Sequence, residues 1–443
     1  MKLRSTVAGA IALCVLFCTS LQAETPANGL YKPMEAPFST WVEAGQARAE
    51  IVTDEFEASP GPADYLNEYL DKMTGTPLPV VRNPNPDIPT VFLGPDCGLS
   101  RLPGLDSEIG PGGFVIISQG SDLVIAGRDR LATLYGVCAF LEECLGVRWF
   151  WDHPTGEVVP SRSTLRIGRV RKVERPDFRI RWVGHGEWAL KNRMNVDIGQ
   201  PDEYGIWRRA HTFLDLVPPS TYLEEHPEYY AMYGGERPDS SMSPEKLRQR
   251  RWQLCTSNPD VVDAVAKSID RIVDANPGIN MVTVGPEDSQ QFCECPDCRA
   301  LDETGVPYSR EYSRRLLIFL NRIGKKIEKK HPDLLIKGLA YHTYLAPPKD
   351  PEVKPRDNVA VQLARFMCHN HPLTDPGCYK NEKFHSILRE WEERTDRLFL
   401  YEYYWKVSWC HLYWPVVHAL KQDLPELRRR GLMGVYTQYT NNF

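Results

Sequence analysis

The feature that most constrains the fold is an alternation of short apolar runs with helical patterns between residues 178 and 439. The runs are rich in Val, Ile, Leu and aromatic residues, which is typical of buried strands. Helical spacing of apolar residues separates several of them, at 261–273, 312–329, 384–395 and 415–430. Eight strands with intervening helices fit a (β/α)8 TIM-type barrel in strand count and length. The candidate strands are FRIRWV, MNVDI, WQLC, INMVTV, LLIKGLAY, NVAVQLARF, RLFLYEYY and LMGVYTQY.

A smaller α/β pattern precedes this region. ADYLNEYLDKMTG and RLATLYGVCAFLEECLG have helical spacing of apolar residues, and each ends at a glycine. TVFLG, GFVIIS and LVIAG are typical of short strands. We therefore expect a small α/β domain at 24–172 and the barrel at 173–443, with VERPDF (173–178) as a linker. The buried helix faces should comprise Tyr65, Leu66, Tyr69, Leu70 and Met73, and then Leu131, Leu134, Cys138, Leu141 and Leu145.

The first 23 residues, MKLRSTVAGAIALCVLFCTSLQA, have a basic start, an apolar core and a small residue at the end. This is the pattern of a secretory signal peptide. A retained membrane anchor is the alternative, but the apolar core is short for a membrane span. The sequence therefore predicts a secreted or periplasmic protein, cleaved after Ala23.

The charge balance bears on the partners of the mature chain. The sequence has 53 basic and 58 acidic residues, and two of the basic ones, Lys2 and Arg4, lie in the predicted leader. The mature chain then has a net charge of about −7. A mildly acidic chain without a basic patch argues against nucleic-acid binding by bulk charge. No second apolar run reaches membrane length, so we expect no membrane association after cleavage.

Three carboxylates stand where strands of the predicted barrel end. Glu287 and Asp288 follow INMVTV, the fourth candidate strand, and Glu402 lies at the end of the seventh. Active sites of such barrels lie at the carboxyl ends of the strands. Glycoside hydrolysis needs a proton donor and a second carboxylate that acts as base or nucleophile. These residues are the catalytic candidates, and helix caps or solvated loop acids are the alternative interpretation.

Aromatic, histidine and arginine side chains occur at the same strand ends. Aromatic faces suit the apolar faces of sugar rings, whereas His and Arg suit hydroxyl and carboxylate groups. The pattern predicts an oligo- or polysaccharide partner. The candidate substrate-binding residues are Trp182, His185, Tyr341, His342, Tyr344, Arg365, His369, Tyr404 and Trp405.

Four cysteines form a separate candidate site. Cys293, Cys295 and Cys298 give a CxCxxC pattern, and Cys255 at the end of WQLC is the natural fourth member. This set suits a structural zinc ion or two disulfides in an exported protein, and free thiols are the third alternative. A catalytic metal is not expected, because no open set of three His or Glu ligands accompanies it. We expect no other cofactor.

Several segments resemble known families. ATLYGVCAFLEECLGVRWFWDHPTGEVVP resembles the N-terminal α/β domain of β-N-acetylhexosaminidases and α-glucuronidases. HTFLDLVPPSTYLEEHPEYYAMYGGER, QLCTSNP and VGPEDSQQFCECPDC are similar to an uncharacterised bacterial family, known only as a domain of unknown function. The resemblance implies a carbohydrate-active barrel.

The resemblance also bears on the acid. Hexosaminidases end their fourth strand in Asp-Glu, with Glu as the acid, whereas this chain has Glu287-Asp288. The α-glucuronidases place an acid Glu after the same strand, which favours Glu287 without excluding Asp288. Their later pair of carboxylates has no counterpart in NVAVQLARFMCHNH, so Glu402 is the remaining second candidate.

The combined prediction is an exported glycoside hydrolase-like protein acting on a glycan that contains uronic acid or N-acetylhexosamine. The rival prediction is a carbohydrate-binding protein without turnover, and a structural surface protein is a third. The chain ends at GLMGVYTQYTNNF with no helix after the eighth strand. Because barrel helices cover the strands, we expect Leu432, Val435 and Tyr436 to be left uncovered. A truncated reading frame, a further segment or a partner would explain that ending.

Overall fold

A computed structural model describes residues 34–54, 61–183, 186–194, 206–208, 210–239, 241–366, 368–404 and 415–437. The predicted leader lies outside these ranges, as do residues 438–443. Within them, no helix combines the length and the apolar character that crossing a membrane requires.

The first unit, residues 35–174, contains three sheets and three α-helices. Short 3-10 turns lie at Leu99–Arg101 and Pro154–Gly156. The elements are β1 (Glu35–Glu43), β2 (Gln46–Ala47), β3 (Glu50–Thr53), α1 (Pro62–Thr74), β4 (Thr90–Leu93), α2 (Leu105–Ile109), β5 (Phe114–Gln119), β6 (Asp122–Gly127), α3 (Arg130–Glu143), β7 (Arg148–Trp149), β8 (Glu157–Val158), β9 (Thr164–Arg169) and β10 (Arg171–Glu174). Strands β2, β1 and β9 form an antiparallel sheet, β10, β5, β6, β4 and β3 form a mixed one, and β7 pairs with β8 in a two-stranded antiparallel sheet.

The core of this unit lies on both faces of the five-stranded sheet. Helices α1 and α3 pack on the face that carries Ile51, Val91 and Ile116. All five residues predicted on the buried face of α1 are buried, and so is Cys138. Helix α3 is buried at every position from Ala132 to Leu141 rather than along one stripe, and Leu131 is only partly buried. The reason is that α3 contacts α1 as well as the sheet.

The second unit, residues 180–437, is built on parallel strands and the helices between them. Additional 3-10 turns lie at Pro227–Tyr229, Tyr308–Arg310 and His342–Tyr344. The elements are β11 (Ile180–Trp182), α4 (Gly186–Lys191), β12 (Ile206–Trp207), α5 (Phe213–Leu216), α6 (Pro219–Tyr222), α7 (Pro244–Gln249), α8 (Pro259–Ala275), β13 (Met281–Val284), α9 (Pro296–Arg299), α10 (Ser313–Ile327), β14 (Leu335–Ala340), β15 (Val359–Ala364), α11 (Tyr379–Glu392), β16 (Leu398–Glu402), α12 (Val417–Arg429) and β17 (Gly434–Thr437).

Seven of these strands form one parallel sheet in the order β11, β17, β16, β15, β14, β13, β12. The first strand therefore pairs with the last, as in a sheet that curls toward closure. Alternate side chains such as Leu335, Phe399 and Tyr436 pack together on one face. Their neighbours, such as Ile336 and Leu400, join the core that also includes the helices. All parallel strands end at the same edge, so the loops after β13 to β16 meet there.

The mixed α/β prediction with a parallel sheet is confirmed, whereas two local predictions are wrong. WQLC is not a strand, because the edge of β13 pairs with Ile206–Trp207 and Leu254 makes only an isolated antiparallel bridge to Tyr230. Val173 and Glu174, assigned to the linker, belong to β10 and pair with β5. The predicted strand MNVDI covers residues 194–198, of which 195–198 lie outside the described residues, so closure of an eight-stranded barrel stays a prediction.

The last strand is better covered than its sequence suggests. Leu432 and Tyr436 are buried, and Val435 is partly buried. Strand β17 pairs with β11 on one side and β16 on the other. Tyr436 then points to the inner face of the sheet, where it packs near Trp182 and Phe399. The expectation that these side chains are uncovered is therefore wrong.

Candidate functional site

Glu287 lies in the loop that follows β13, held from three directions. Its backbone N–H donates to Gln253 Oε1 at 3.0 Å, and its carbonyl accepts from Gln253 Nε2 at 2.7 Å. Its carboxylate oxygen Oε1 accepts a hydrogen bond from the backbone N–H of Leu214 at 3.0 Å. Burial raises the pKa of Glu287, against the lowering effect of that hydrogen bond and of nearby His211. The loop thus fixes a carboxyl group that holds its proton more tightly than an ordinary Glu.

Asp288, the next residue, is in a contrasting environment. Its side chain is exposed and forms an ion pair with Arg251, Nη1 to Oδ2 at 2.6 Å. The carbonyl of Asp288 also accepts from the same Arg251 nitrogen at 3.2 Å. Neighbouring residues of one loop therefore present a partly buried and an exposed carboxyl group.

A row of rings, the aromatic row, runs across the ends of β14, β15 and β16. Its members are Tyr341, His342, Phe366, Tyr401 and Tyr403. Successive ring centroids from Tyr341 to His342, Phe366, Tyr403 and Tyr401 are 4.1, 6.3, 5.0 and 5.1 Å apart. Phe366 is 54% exposed. The row offers an accessible apolar surface of the kind that sugar rings stack on.

The aromatic row lies near the carboxylates. Burial is the main cause that raises the pKa of Tyr341, and the charge of Asp288 raises it further. Burial likewise raises the pKa of Tyr403, with Tyr341, Tyr401 and then Asp288 as additional causes. Such electrostatic coupling requires proximity. His211, whose Nδ1 lies 2.7 Å from the carbonyl oxygen of Pro286, also has its ring centroid 6.5 Å from that of Tyr341. We assign the aromatic row, His211, Glu287, Asp288 and Arg251 to one site, the carboxyl-end site.

Backbone strain concentrates at this site. Six described residues other than glycine have positive φ, and four of them lie in its segments. Left-handed backbone costs a non-glycine residue of the order of 1–3 kcal/mol and clusters at functional sites. The four residues are Arg208 (φ 59°), His211 (51°), Arg251 (52°) and His342 (46°).

Glu402 is not brought to the carboxyl-end site. Its side chain is 0% exposed, and it lies on the face of β16 that carries Leu398 and Leu400 and packs toward the helices. Arg365 Nε and His369 Nε2 each lie 2.9 Å from its carboxylate. Arg365 also pairs with Asp423 of α12 at 2.9 Å. Glu402, Arg365 and His369 thus form a buried ion-pair network rather than a substrate-facing surface.

The remaining predicted residues divide by burial. Tyr341 and His342 lie in the carboxyl-end site. Trp182, Tyr344 and Tyr404 are buried: Trp182 packs near Tyr436, and Tyr344 packs edge-on against Phe292. His185 and Trp405 lie outside the described residues.

Sequence reasoning missed several members of the site. Gln253 lies in WQLC, which was predicted to be a strand, and Arg251 lies just before it. Their contacts with the loop of Glu287 and Asp288 could therefore not be predicted. Phe366 and Tyr403 each adjoin a residue that was chosen, Arg365 and Tyr404. Alternation along β15 and β16 would have selected Phe366 and Tyr403. Each comes two residues after a side chain that faces the inside of the sheet, Ala364 and Tyr401, whereas Arg365 and Glu402 face the other side.

The four cysteines do come together. Cys255, Cys293, Cys295 and Cys298 are buried, with all four sulfurs within 4.8 Å of one another. Cys255 arrives from a loop rather than from the predicted strand end. Cys293, Cys295 and Cys298 follow Glu287 and Asp288 in the same segment after β13, at its far end.

A separate cavity of about 950 Å³ lies in the first unit, beside β5, β10 and α3. Part of its charged lining is paired: Lys172 Nζ lies 2.8 Å from Glu143, and Arg193 Nη2 lies 2.7 Å from Glu142. None of the residues that line it belongs to the carboxyl-end site. The carboxyl-end site is therefore the candidate for chemistry.

Solved structures that match this chain have low sequence identity to it and TM-scores below 0.5. N-acetyl-beta-hexosaminidase from Streptomyces plicatus is 15% identical with a TM-score of 0.49, covering 92% of this chain and 83% of that one. β-N-acetylhexosaminidase from Bacteroides fragilis is 13% identical with a TM-score of 0.45, covering 93% and 86%. CpGH84D is 10% identical with a TM-score of 0.43, covering 93% of this chain and 66% of its own. None of these likenesses identifies a residue of the site.

Sequence comparison gives a firmer result for family than for activity. No curated protein matches the chain. A family model with the description Domain of unknown function (DUF4838) matches residues 151–443, well over half of the chain. The predicted membership of an uncharacterised domain-of-unknown-function family is confirmed: this chain belongs to the DUF4838 family.

Proposed function

We propose that the chain is a glycoside hydrolase whose reaction takes place at the carboxyl-end site. The observation that carries this proposal is the pair Glu287 and Asp288. One carboxyl group is partly buried with a raised pKa, the other is exposed, and both lie beside an accessible aromatic row. Two carboxyl groups in contrasting environments are the arrangement that acid and charge-stabilising roles require.

Glu287 is the proton donor in this proposal. Its Oε1 is engaged by Leu214 N–H, and no described residue donates to Oε2, which is left to hold the proton. A glycosidic oxygen within reach of Oε2 receives that proton as the bond to the sugar carbon breaks. The carboxylate of Asp288 stabilises the positive charge that develops on the sugar ring and takes a proton from the water that adds to the anomeric carbon.

The substrate proposed is a glycan containing uronic acid or N-acetylhexosamine. Arg251 is half-exposed and His342 is exposed at the edge of the aromatic row, so both can meet a sugar carboxylate or acetamido oxygen. The aromatic row supplies stacking for the ring itself. Export through the N-terminal leader would bring the protein to such glycans outside the cytoplasm.

One observation favours a second candidate function, carbohydrate binding without turnover. Glu402, the carboxylate predicted to complete the site, is buried in ion pairs. Among the described residues, the carboxyl-end site then has only the adjacent pair Glu287 and Asp288. If neither acts as a base or nucleophile, the aromatic row remains a binding surface.

Glu287→Gln separates the two functions. Turnover of aryl glycosides, including N-acetylhexosaminides and glucuronides, should fall by about 10²–10⁴-fold, because general acid catalysis contributes about that much. Affinity for a glycan ligand, measured by calorimetry, should persist. Glu328→Gln, which alters an ion-paired glutamate of α10's C-terminal end, is the matched control and should keep full turnover. Glycan binding with no turnover in the wild-type protein would favour the binding function instead.

A further inference from the structure

We propose that Cys255, Cys293, Cys295 and Cys298 bind one structural zinc ion behind the loop that carries Glu287 and Asp288. The sulfur of Cys255 lies 3.7 Å from that of Cys295 and 3.9 Å from that of Cys298. Four thiolates about 2.3 Å from a tetrahedral zinc ion lie about 3.8 Å apart. The cysteines are thus already spaced as the corners of such a site.

The spacing does not suit the alternatives. All four cysteines are free, and bonded sulfurs in a disulfide are about 2.05 Å apart. An iron–sulfur cluster places several metal and sulfide atoms between its cysteines, which requires more room than sulfurs within 4.8 Å of one another leave. A single tetrahedral ion fits, and with four protein ligands it leaves no open position for catalysis.

Hydrogen-bond donors surround the sulfurs as they do in thiolate sites. The backbone N–H of Met232 donates to Cys293 Sγ at 3.3 Å, and that of Cys298 donates to Cys295 Sγ at 3.4 Å. Arg237 Nη2 lies 3.9 Å from Cys255 Sγ. Donors of this kind stabilise and orient charged thiolates around a metal.

The charge of the occupied site is also partly offset. Zinc with four thiolates has a net charge of −2, and a buried charge requires compensation. Arg237 approaches Cys255, while buried Arg315, which is ion-paired with Asp302, donates to the carbonyl of Cys293 at 2.7 Å. Two neutral disulfides at the same place would need no such cations. The arrangement therefore favours a metal over disulfides.

The ion would join two segments, the one that carries Cys255 and the one from Cys293 to Cys298, and the second of these is hydrogen-bonded to a third at Met232. Cys255 follows Gln253, which holds both backbone groups of Glu287. Cys293 and Glu294 contact Met232, whose carbonyl accepts from the N–H of Glu294 at 2.7 Å. Zinc thus fixes the loop at its far end, whereas Gln253 fixes it near the carboxylates. This inference concerns metal content and holds whether or not the protein is a hydrolase.

The first test uses the wild-type protein purified without added metal or chelator. Elemental analysis should find about one zinc ion per chain, and a mercurial that attacks thiolates should release it to a chromogenic chelator. Cobalt exchanged into the site should give the absorption bands of tetrahedral cobalt–thiolate coordination. Stoichiometric iron, or zinc far below one per chain, would overturn the proposal. So would two disulfides among these cysteines in mass spectra of non-reduced peptides.

Variants assign the ion to its ligands. Cys295→Ala should lower the zinc content at least tenfold and lower the melting temperature. Cys144→Ala, which alters an equally buried thiol of the first unit, should retain the full zinc content. If Cys295→Ala does not fold, the wild-type measurements above decide the question alone. A Cys295→Ala protein with unchanged zinc content would show that the metal is bound elsewhere.

Discussion

At the scale of single residues, the direction in which the side chain points distinguishes Glu402 from Glu287 and Asp288. Glu287 and Asp288 could be selected from sequence because they directly follow an apolar run. Glu402 was selected by the same rule, yet it shares the helix-facing side with Leu398 and Leu400. The alternation in LFLYE contained that information. The raised pKa of Glu287 could not be predicted, because it depends on burial by residues distant in sequence.

The raised pKa of Glu287 gives a prediction for pH dependence. A proton donor must be protonated, so kcat/KM should fall as pH rises through the pKa of folded Glu287. Because burial raises that pKa, the fall should occur above the ordinary Glu value of about 4.3. A pH–rate profile at constant ionic strength measures this. A fall centred at or below the ordinary value would contradict the assignment.

The raised pKa of Glu287 should also make the stability of the protein depend on pH. A Glu whose pKa is raised on folding contributes stability that is fully present below its unfolded pKa and is lost as pH rises through the folded pKa. Glu287→Gln has no such group, so its melting temperature should rise relative to wild type as pH increases over that range. Glu328→Gln is the control and should show no such relative rise.

At the scale of secondary-structure elements, periodic segments were predicted well and short ones were not. Helices α8, α10, α11 and α12 all lie within a few residues of their predicted positions, because each has a clear apolar stripe. Strand β12 has two residues, Ile206 and Trp207, which is too short for any pattern. The prediction placed a strand at WQLC instead, an apolar segment that lies in a loop.

The network of Arg365, Glu402 and Asp423 joins three elements and gives a prediction at this scale. Arg365 extends from the end of β15 to Glu402 at the end of β16 and to Asp423 in α12. Arg365→Met leaves two buried carboxylates without their cation, so the free energy of unfolding should fall by about 3–5 kcal/mol. Denaturant unfolding followed by circular dichroism measures it.

Two further variants make that test specific. Arg48→Met removes an exposed pair with Glu43 and should leave stability nearly unchanged. Adding Glu402→Gln to Arg365→Met removes one of the stranded charges and should restore part of the loss. If Glu402→Gln lowered the free energy of unfolding as much in the Arg365→Met protein as it does in the wild-type protein, the two side chains would not be energetically coupled.

At the scale of the whole molecule, two cores are joined by a short segment around α4. Trp188 and Leu190 pack against the core of the first unit although they belong to the second. Trp188 Nε1 donates to the carbonyl of Trp149 at 3.1 Å, and Tyr135 OH donates to that of Met194 at 2.9 Å. The change in spacing near residue 175 could be read as a division of the chain into two domains, which stays a prediction. The attachment could not be predicted, since α4 has six residues and no distinctive pattern.

This attachment predicts how the molecule unfolds. Because α4 is packed into the first core and continuous with β11 of the second unit, both units should unfold together in one calorimetric transition. Trp188→Ala removes a hydrogen bond and the main apolar contact, so the two cores should separate into two transitions, with the first unit less stable. Trp188→Phe keeps the ring packing without the hydrogen bond and should retain a single transition at slightly lower temperature. If Trp188→Ala also unfolds in one transition, coupling between the units must come from contacts other than α4.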